Sequence, residues 1–116
     1  MTTELVPSQG QGRQLAKLGF SVLPAVIGNA GPKASERFFE FFTAKIRNLN
    51  TRRVYARAVR DFMFWCDEKK ISLHQIEPML VAAYVEQIGK SKAPPSVKQA
   101  LSAVRMLFDY LVIGQV

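Results

Sequence analysis

Residues 50–66 of the chain read NTRRVYARAVRDFMFWC, and this stretch determines the predicted fold class. At about 100° per residue, its apolar side chains gather into one stripe along a helix. The stripe consists of Val54, Ala58, Phe62, Trp65 and Cys66, and it is widened by Tyr55 and Val59. The opposite side carries Arg53, Arg57 and Arg60, with Arg52 at its margin. The pattern predicts a helix that is anchored in a small bundle and presents arginines to an anionic partner.

Capping residues place the start of this helix and of the one before it. Asn50 or Thr51 is a suitable N-cap for the helix just described. The preceding helix is predicted to begin near Ser35, which Glu36 follows in the first turn. Phenylalanines occupy four of the five positions in 38–42, and we interpret them as core residues rather than as a binding site.

Two further helices follow in the C-terminal half. The third is predicted to begin at Pro78 and to end at Gly89, because proline is favoured at the first helical position. The fourth begins at two prolines and Ser96, after a basic linker, and its apolar residues repeat at spacings of three and four. No β pattern is visible, so we predict an all-α, four-helix orthogonal bundle over residues 32–116.

The predicted core is drawn from all four helices. It comprises Phe38, Phe42, Val54, Ala58, Phe62, Trp65, Val81, Tyr84, Val85, Leu101, Val104 and Phe108. These side chains fall on the apolar stripe of their own helix, which is the face that a bundle buries. We therefore expect them to be largely buried.

Charge indicates the partner. The chain has 116 residues, a formal net charge of +7 and a pI near 9.9, which fits one domain that binds nucleic acid or another anionic surface. Six basic residues and no acidic one lie between Lys45 and Arg60. A basic face that merely keeps the protein soluble is the alternative.

The sequence offers no residues for catalysis. His74 is the only histidine and lies in a connecting segment, while Cys66, the only cysteine, falls on the apolar stripe. No glycine-rich phosphate loop, metal-ligand cluster or nucleophile with a nearby base is recognisable. We expect no enzyme activity, cofactor or metal site. No apolar run is long enough to cross a membrane and no signal peptide is visible, so a cytoplasmic protein is the default expectation.

Residues 1–31 differ in composition from the rest of the chain. Glycine-rich breaker clusters lie at 9–12 and 28–32, and Pro24 interrupts the apolar stretch between Phe20 and Ile27. We interpret this region as a flexible, loosely ordered arm. Docking of its apolar patch on the domain or on a neighbouring chain is an alternative. Contact with DNA through Arg13 and Lys17 is another.

Sequence patterns on two of the predicted helices resemble a known family. The patterns NTRRxY at 50–55 and FxxWC at 62–66 resemble the second helix of the core-binding (SAM-like) domain of tyrosine recombinases, the phage-type integrases. The later pattern SVKQALSAVRxxFxxL at 96–111 resembles the fourth helix of that domain. The resemblance covers about residues 35–116, with the order and spacing of all four helices.

The resemblance implies a function and a set of contacts. In the family, the second and fourth helices lie across the major groove of a recombination half-site, and a separate catalytic domain completes a clamp around the DNA. Carried over by position, with the polar face of the fourth helix included, the DNA-binding candidates are Thr51, Arg52, Arg53, Arg57, Lys92, Ser96, Lys98, Gln99, Ser102 and Arg105. No tyrosine of this chain is expected to be the nucleophile, which belongs to the catalytic domain.

The expected partners follow from the same resemblance. They are double-stranded DNA, the protein's own C-terminal catalytic domain and sister protomers assembled on DNA in a bacterial or phage-encoded system. The competing hypothesis is a helical protein-interaction adaptor whose basic surface only confers solubility. Salt-dependent binding to duplex DNA distinguishes the two.

Overall fold

The computed structural model describes residues 16, 18–20 and 22–113, and in this part every regular element is helical. The α-helices are α1 (Ala25–Gly28), α2 (Pro32–Glu40), α3 (Leu49–Glu68), α4 (Pro78–Ile88) and α5 (Pro94–Ile113). A π-helical turn, Phe41–Lys45, extends α2, and a 3₁₀ turn, Leu73–Gln75, precedes α4. The all-α class is confirmed, and the four predicted helices correspond to α2–α5. None of the helices described is long and apolar enough to cross a membrane.

The start of α2 lies earlier than the capping analysis placed it. The helix begins at Pro32, directly after Gly31, whose φ of 106° is readily adopted only by glycine. Ser35 is therefore inside the helix, where its hydroxyl donates a hydrogen bond to the Gly31 carbonyl at 3.3 Å. The proline fixes the first helical φ angle, which is why it and not the serine sets the boundary.

The start of α3 is also shifted. Asn48 is the N-cap, and its side-chain oxygen accepts a hydrogen bond from the Thr51 backbone N–H at 3.0 Å. The placement of the cap at Asn50 or Thr51 was wrong by two or three residues. The predicted boundaries at Pro78, Gly89 and the 94–95 proline pair are confirmed.

The phenylalanines of α2 and its π-helical turn form the aromatic centre of the core. Phe38, Phe39, Phe41 and Phe42 are all buried, as predicted. Their rings meet edge to face, with centroids 5.3 Å apart for Phe38 and Phe42 and 5.0 Å apart for Phe41 and Phe42. Aromatic pairs favour this geometry because the positive ring edge meets the negative ring face.

The buried side of α3 is rotated from the predicted stripe. Its buried residues are Ala56, Val59, Phe62, Met63 and Cys66. Val54, predicted to be in the core, is 39% exposed, and Ala58 and Trp65 are only half-buried. At about 100° per residue, the centre of the buried face lies roughly a quarter turn from the predicted one.

The N-terminal segment accounts for this rotation. Phe20, Val26 and Ile27 are buried, and the Phe20 ring packs edge to face on Phe38 at 5.6 Å. The Asp67 carboxylate accepts hydrogen bonds from the backbone N–H groups of Ala25 and Val26, at 3.0 and 2.9 Å. The segment thus packs against α3, as in the docking on the domain that the sequence analysis gave as an alternative for residues 1–31.

Four other predicted core residues are only half-buried. They are Val81 and Val85 on α4, and Leu101 and Phe108 on α5. The two helices pack against each other but leave an apolar groove of about 580 Å³ between them, and these four side chains line it. Their apolar stripes were identified correctly, but no element of the described chain covers them fully.

Candidate nucleic-acid interface

A second groove, of about 300 Å³, lies where α3, the end of α4 and the start of α5 meet. It brings together four residues that the sequence analysis assigned to DNA binding: Arg57, Lys92, Ser96 and Gln99. All four side chains are exposed. The groove is also lined by Val54, Ala58, Asp61, Tyr84, Ile88 and Ala100. We call it the basic groove.

The floor and the rim of the basic groove differ in chemistry. Tyr84, Ile88 and Ala100 are buried and form an apolar floor fixed by the core. Arg57 from α3 and Lys92 from the α4–α5 linker supply the positive charges that line it. A rigid floor under flexible cationic side chains suits a phosphate backbone, because the charges can adjust while their helices stay in place.

The N-terminus of α5 supplies few free backbone donors to this groove. Pro94 and Pro95 have no N–H, and the N–H groups of Ser96 and Val97 both bond to the Ala93 carbonyl, at 3.0 and 3.1 Å. Phosphate binding by a ring of free N–H groups, common at other helix starts, is therefore largely excluded here. Side chains must provide the contacts.

Asp61 is a groove residue that the sequence analysis did not identify. Its carboxylate lies 3.5 Å from Nε of Arg60, and both side chains are partly exposed. Burial, with smaller contributions from Asp61 and Cys66, raises the pKa of Tyr84 to about 12. The spacing of four residues from Arg57 is the sequence signal that could have placed Asp61 on this side of the helix.

The other α3 candidates lie towards its N-terminus. Thr51 and Arg53 are exposed but do not line the basic groove. Arg52 is half-buried, and its guanidinium donates two hydrogen bonds to the Ile46 carbonyl, from Nε at 3.1 Å and from Nη2 at 2.9 Å. These bonds tie the start of α3 to the chain that precedes it, so Arg52 has a structural partner.

The remaining α5 candidates spread around the helix. Lys98 and Ser102 are exposed on its outer surface and do not line the basic groove. Arg105 lines the apolar groove instead. At about 100° per residue, Arg105 lies roughly 120° around the helix from Gln99. The structure therefore brings Gln99 together with Arg57 and places Arg105 away from both.

An all-helical domain with a basic groove between its two longest helices is typical of a DNA-binding module. The sequence matches the family described as phage integrase, N-terminal SAM-like domain, over residues 36–114. This is more than half of the chain, and the protein belongs to that family. Comparisons with curated proteins and with solved structures returned no match.

Proposed function

We propose that this protein is the DNA-binding module of a site-specific tyrosine recombinase, or integrase, and that α3 and α5 hold the recombination half-site. A separate catalytic domain would cleave and join the strands, and sister protomers would assemble on the same DNA. The observation that carries the proposal is the basic groove, because it joins Arg57, Lys92, Ser96 and Gln99 from three parts of the chain. The place of action would be the cytoplasm.

Phosphate contacts would supply most of the affinity. Arg57 and Lys92 are exposed and face one groove, and the chain as a whole carries a net charge of +7. Each cation that neutralises a phosphate releases condensed counterions, so binding should weaken as salt rises. Arg53 and Lys98 are exposed on the same two helices, outside the groove lining, and would extend the contact along the DNA backbone.

Gln99 is the first candidate for reading a base. Its side chain is exposed at the groove and extends from a helix anchored by buried Ala100 and Ala103. A glutamine amide can pair with the N6 and N7 positions of adenine through two hydrogen bonds. A base-reading role predicts that Gln99→Ala costs about 1–3 kcal/mol at one base pair and little elsewhere.

A titration with duplex DNA tests the proposal. The protein is measured by fluorescence anisotropy against half-site and random duplexes at several salt concentrations. The test variant is Arg57→Ala/Lys92→Ala, and the matched control is Lys33→Ala/Lys69→Ala, which removes the same charge from exposed residues outside the groove. We expect the test variant to lose about 10-fold or more in affinity and about two units of log-salt slope.

The control variant addresses the alternative function. An adaptor with a merely soluble surface would bind duplex weakly, and both charge variants would then behave alike. Circular dichroism verifies that each variant is folded. Equal losses in the two variants, or no measurable binding by the parent protein, would disprove the proposed role of the basic groove.

A further inference from the structure

The apolar groove between α4 and α5 is an unfilled surface feature that is larger than the basic groove. Its volume is about 580 Å³, within the usual range for ligand and peptide clefts. Val81 and Val85 form one wall, and Leu101, Phe108 and Val112 form the other. Val112 is 72% exposed, which is unusual for a valine beside a core.

Acidic residues line the edges of this groove. Glu77, Glu86 and Asp109 are exposed there, against the single positive charge of Arg105. Among the described residues, none of these three carboxylates forms an ion pair. The edge therefore carries an unpaired negative charge in a protein whose overall charge is +7. Such an edge repels DNA and attracts a cationic partner.

We propose that the apolar groove binds a basic amphipathic helix from a protein partner. Both walls are helices whose backbone groups are already paired, so an added β-strand would find no open sheet edge to extend. A helix with an apolar stripe and lysines or arginines on its flanks matches the apolar walls and the acidic edges together. This surface is distinct from the basic groove and adds a protein contact to the proposed DNA contact.

The dimensions of the groove set the length of the partner helix. The α4 wall runs from Pro78 to Glu86, about 12 Å along the axis at ~1.5 Å per residue. The α5 wall runs from Leu101 to Val112, about 16 Å by the same measure. Two to three turns of a partner helix fit this length, which places about three apolar anchors, at spacings such as i, i+4 and i+7, in the groove.

A designed peptide is the direct test. The probe is a fluorescent helical peptide of about 14 residues with leucines at i, i+4 and i+7 and lysines on both flanks. The control peptide replaces every lysine by glutamate. We expect saturable binding of the basic peptide to the full chain, and at least about 10-fold weaker binding of the acidic one at low salt. Equal binding of the two peptides would overturn the proposal.

Neighbouring residues provide matched variants. Val112→Ser removes a groove side chain, whereas Ile113→Ser alters the next residue, which is 82% exposed and lies outside the groove. We expect Val112→Ser to lower the affinity for the basic peptide about 5- to 10-fold. Ile113→Ser should leave that affinity unchanged. The double variant Glu86→Lys/Asp109→Lys should lower the affinity for the basic peptide about 10-fold. The control is Glu36→Lys/Glu68→Lys, which makes the same charge change at exposed positions outside the groove. Equal effects within either pair would overturn the assignment.

Sedimentation separates a partner helix from a second copy of this chain. If the protein alone forms dimers that Val112→Ser dissociates, the groove is occupied by a copy and the proposal is wrong. Duplex binding provides an independent readout, because Val112 lies outside the basic groove. Val112→Ser should leave the affinity for DNA unchanged while it lowers the affinity for the peptide. A failure of the DNA proposal and a failure of this one therefore give different results.

Discussion

The two halves of α3 differ in what surrounds them. In the N-terminal half, residues 49–58, only Ala56 is fully buried, and exposed residues such as Arg53 and Arg57 dominate. In the C-terminal half, residues 59–68, the buried residues are Val59, Phe62, Met63 and Cys66. The same helix thus has a largely exposed end, where the proposed DNA contacts lie, and an end that lies in the core. Stability and binding should therefore respond to substitutions in different halves.

The largest expected effect is on stability in the C-terminal half. Phe62 is fully buried and packs against Tyr84 with centroids 5.0 Å apart and against Trp65 at 6.0 Å. Phe62→Ala should lower the free energy of unfolding by about 3–5 kcal/mol, because it empties a large aromatic site. Urea unfolding followed by circular dichroism measures the loss.

Val54→Ala is the matched control from the N-terminal half. Val54 is 39% exposed, so its truncation should cost no more than about 1 kcal/mol. Trp65→Ala should fall between the two, because the ring is half-buried and donates a hydrogen bond to Gln87 at 3.1 Å. A loss at Val54 as large as that at Phe62 would contradict the buried face described for α3.

The next effect is the response of the core to alkaline pH. Burial, with a smaller effect of Asp67, raises the pKa of the Cys66 thiol from 9.0 to about 12, and burial also raises that of Tyr84 from 10.0 to about 12. Both groups hold their protons more tightly in the folded protein than in the unfolded chain. Their contribution is therefore complete below the unfolded pKa values and is lost as pH rises towards about 12.

Tyr84→Phe isolates one of these two groups. For a shift of about two pKa units, the parent should lose up to about 3 kcal/mol more than the variant between about pH 9 and 12. Urea midpoints measured across that range provide the comparison, with Tyr55→Phe on α3 as the control. Parallel pH profiles for the parent protein and Tyr84→Phe would show that Tyr84 does not contribute.

Arg57→Ala should change binding without changing stability. The side chain is exposed at the basic groove, so unfolding free energy should stay within about 0.5 kcal/mol of the parent. If Arg57 contacts one phosphate, the slope of log affinity against log salt should fall by about 0.9. Arg47→Ala, exposed but outside the groove lining, is the control, and a comparable fall there would count against a specific role for Arg57.

The smallest expected effect is a gain in affinity for duplex DNA. Asp61 places a negative charge in the basic groove, where it would repel a bound phosphate. Asp61→Asn should strengthen binding to random duplex about 2- to 5-fold at low salt, because exposed charge interactions are worth about 0.2–1 kcal/mol. Anisotropy titrations at two salt concentrations measure it, and the gain should shrink at the higher one. Weaker binding by this variant would instead indicate that the carboxylate accepts a hydrogen bond from a base.

The difference between the two halves of α3 also explains which parts of the fold could be predicted from the sequence. The four helices α2–α5, the proline-marked starts of α4 and α5, and the aromatic core of α2 followed from periodicity and local chemistry, whereas the short helix α1 was not predicted. The register of α3 did not, because the predicted stripe took exposed Val54 together with buried Phe62 as one face. Which face of α3 is buried depends on the elements that pack around it, including the N-terminal segment, and the helix's own apolar pattern does not identify them.

The candidate site was predictable in part for a similar reason. Sequence spacing placed polar residues on α3 and α5, but which of them meet depends on how the two helices pack. Gln99 and Arg57 meet in one groove, whereas Arg105 lines another. Arg52 pairs with a backbone carbonyl that helical periodicity cannot anticipate. Their individual roles in DNA binding remain predictions.

The docked N-terminal segment shows that the family match and the hydrophobic core begin at different residues. Homology to the integrase domain begins at residue 36, whereas the hydrophobic core includes Phe20, Val26 and Ile27. A protein trimmed to the homologous region would keep every family residue and lose the buried side chains of Leu18, Phe20, Val26, Ile27 and Ala34. Full burial of a large apolar side chain such as Phe20 or Ile27 is worth about 1.5–3 kcal/mol. Trimming would also leave the Asp67 carboxylate without the two N–H groups that it accepts from. The buried core therefore extends beyond the homologous region and reaches back at least to Leu18.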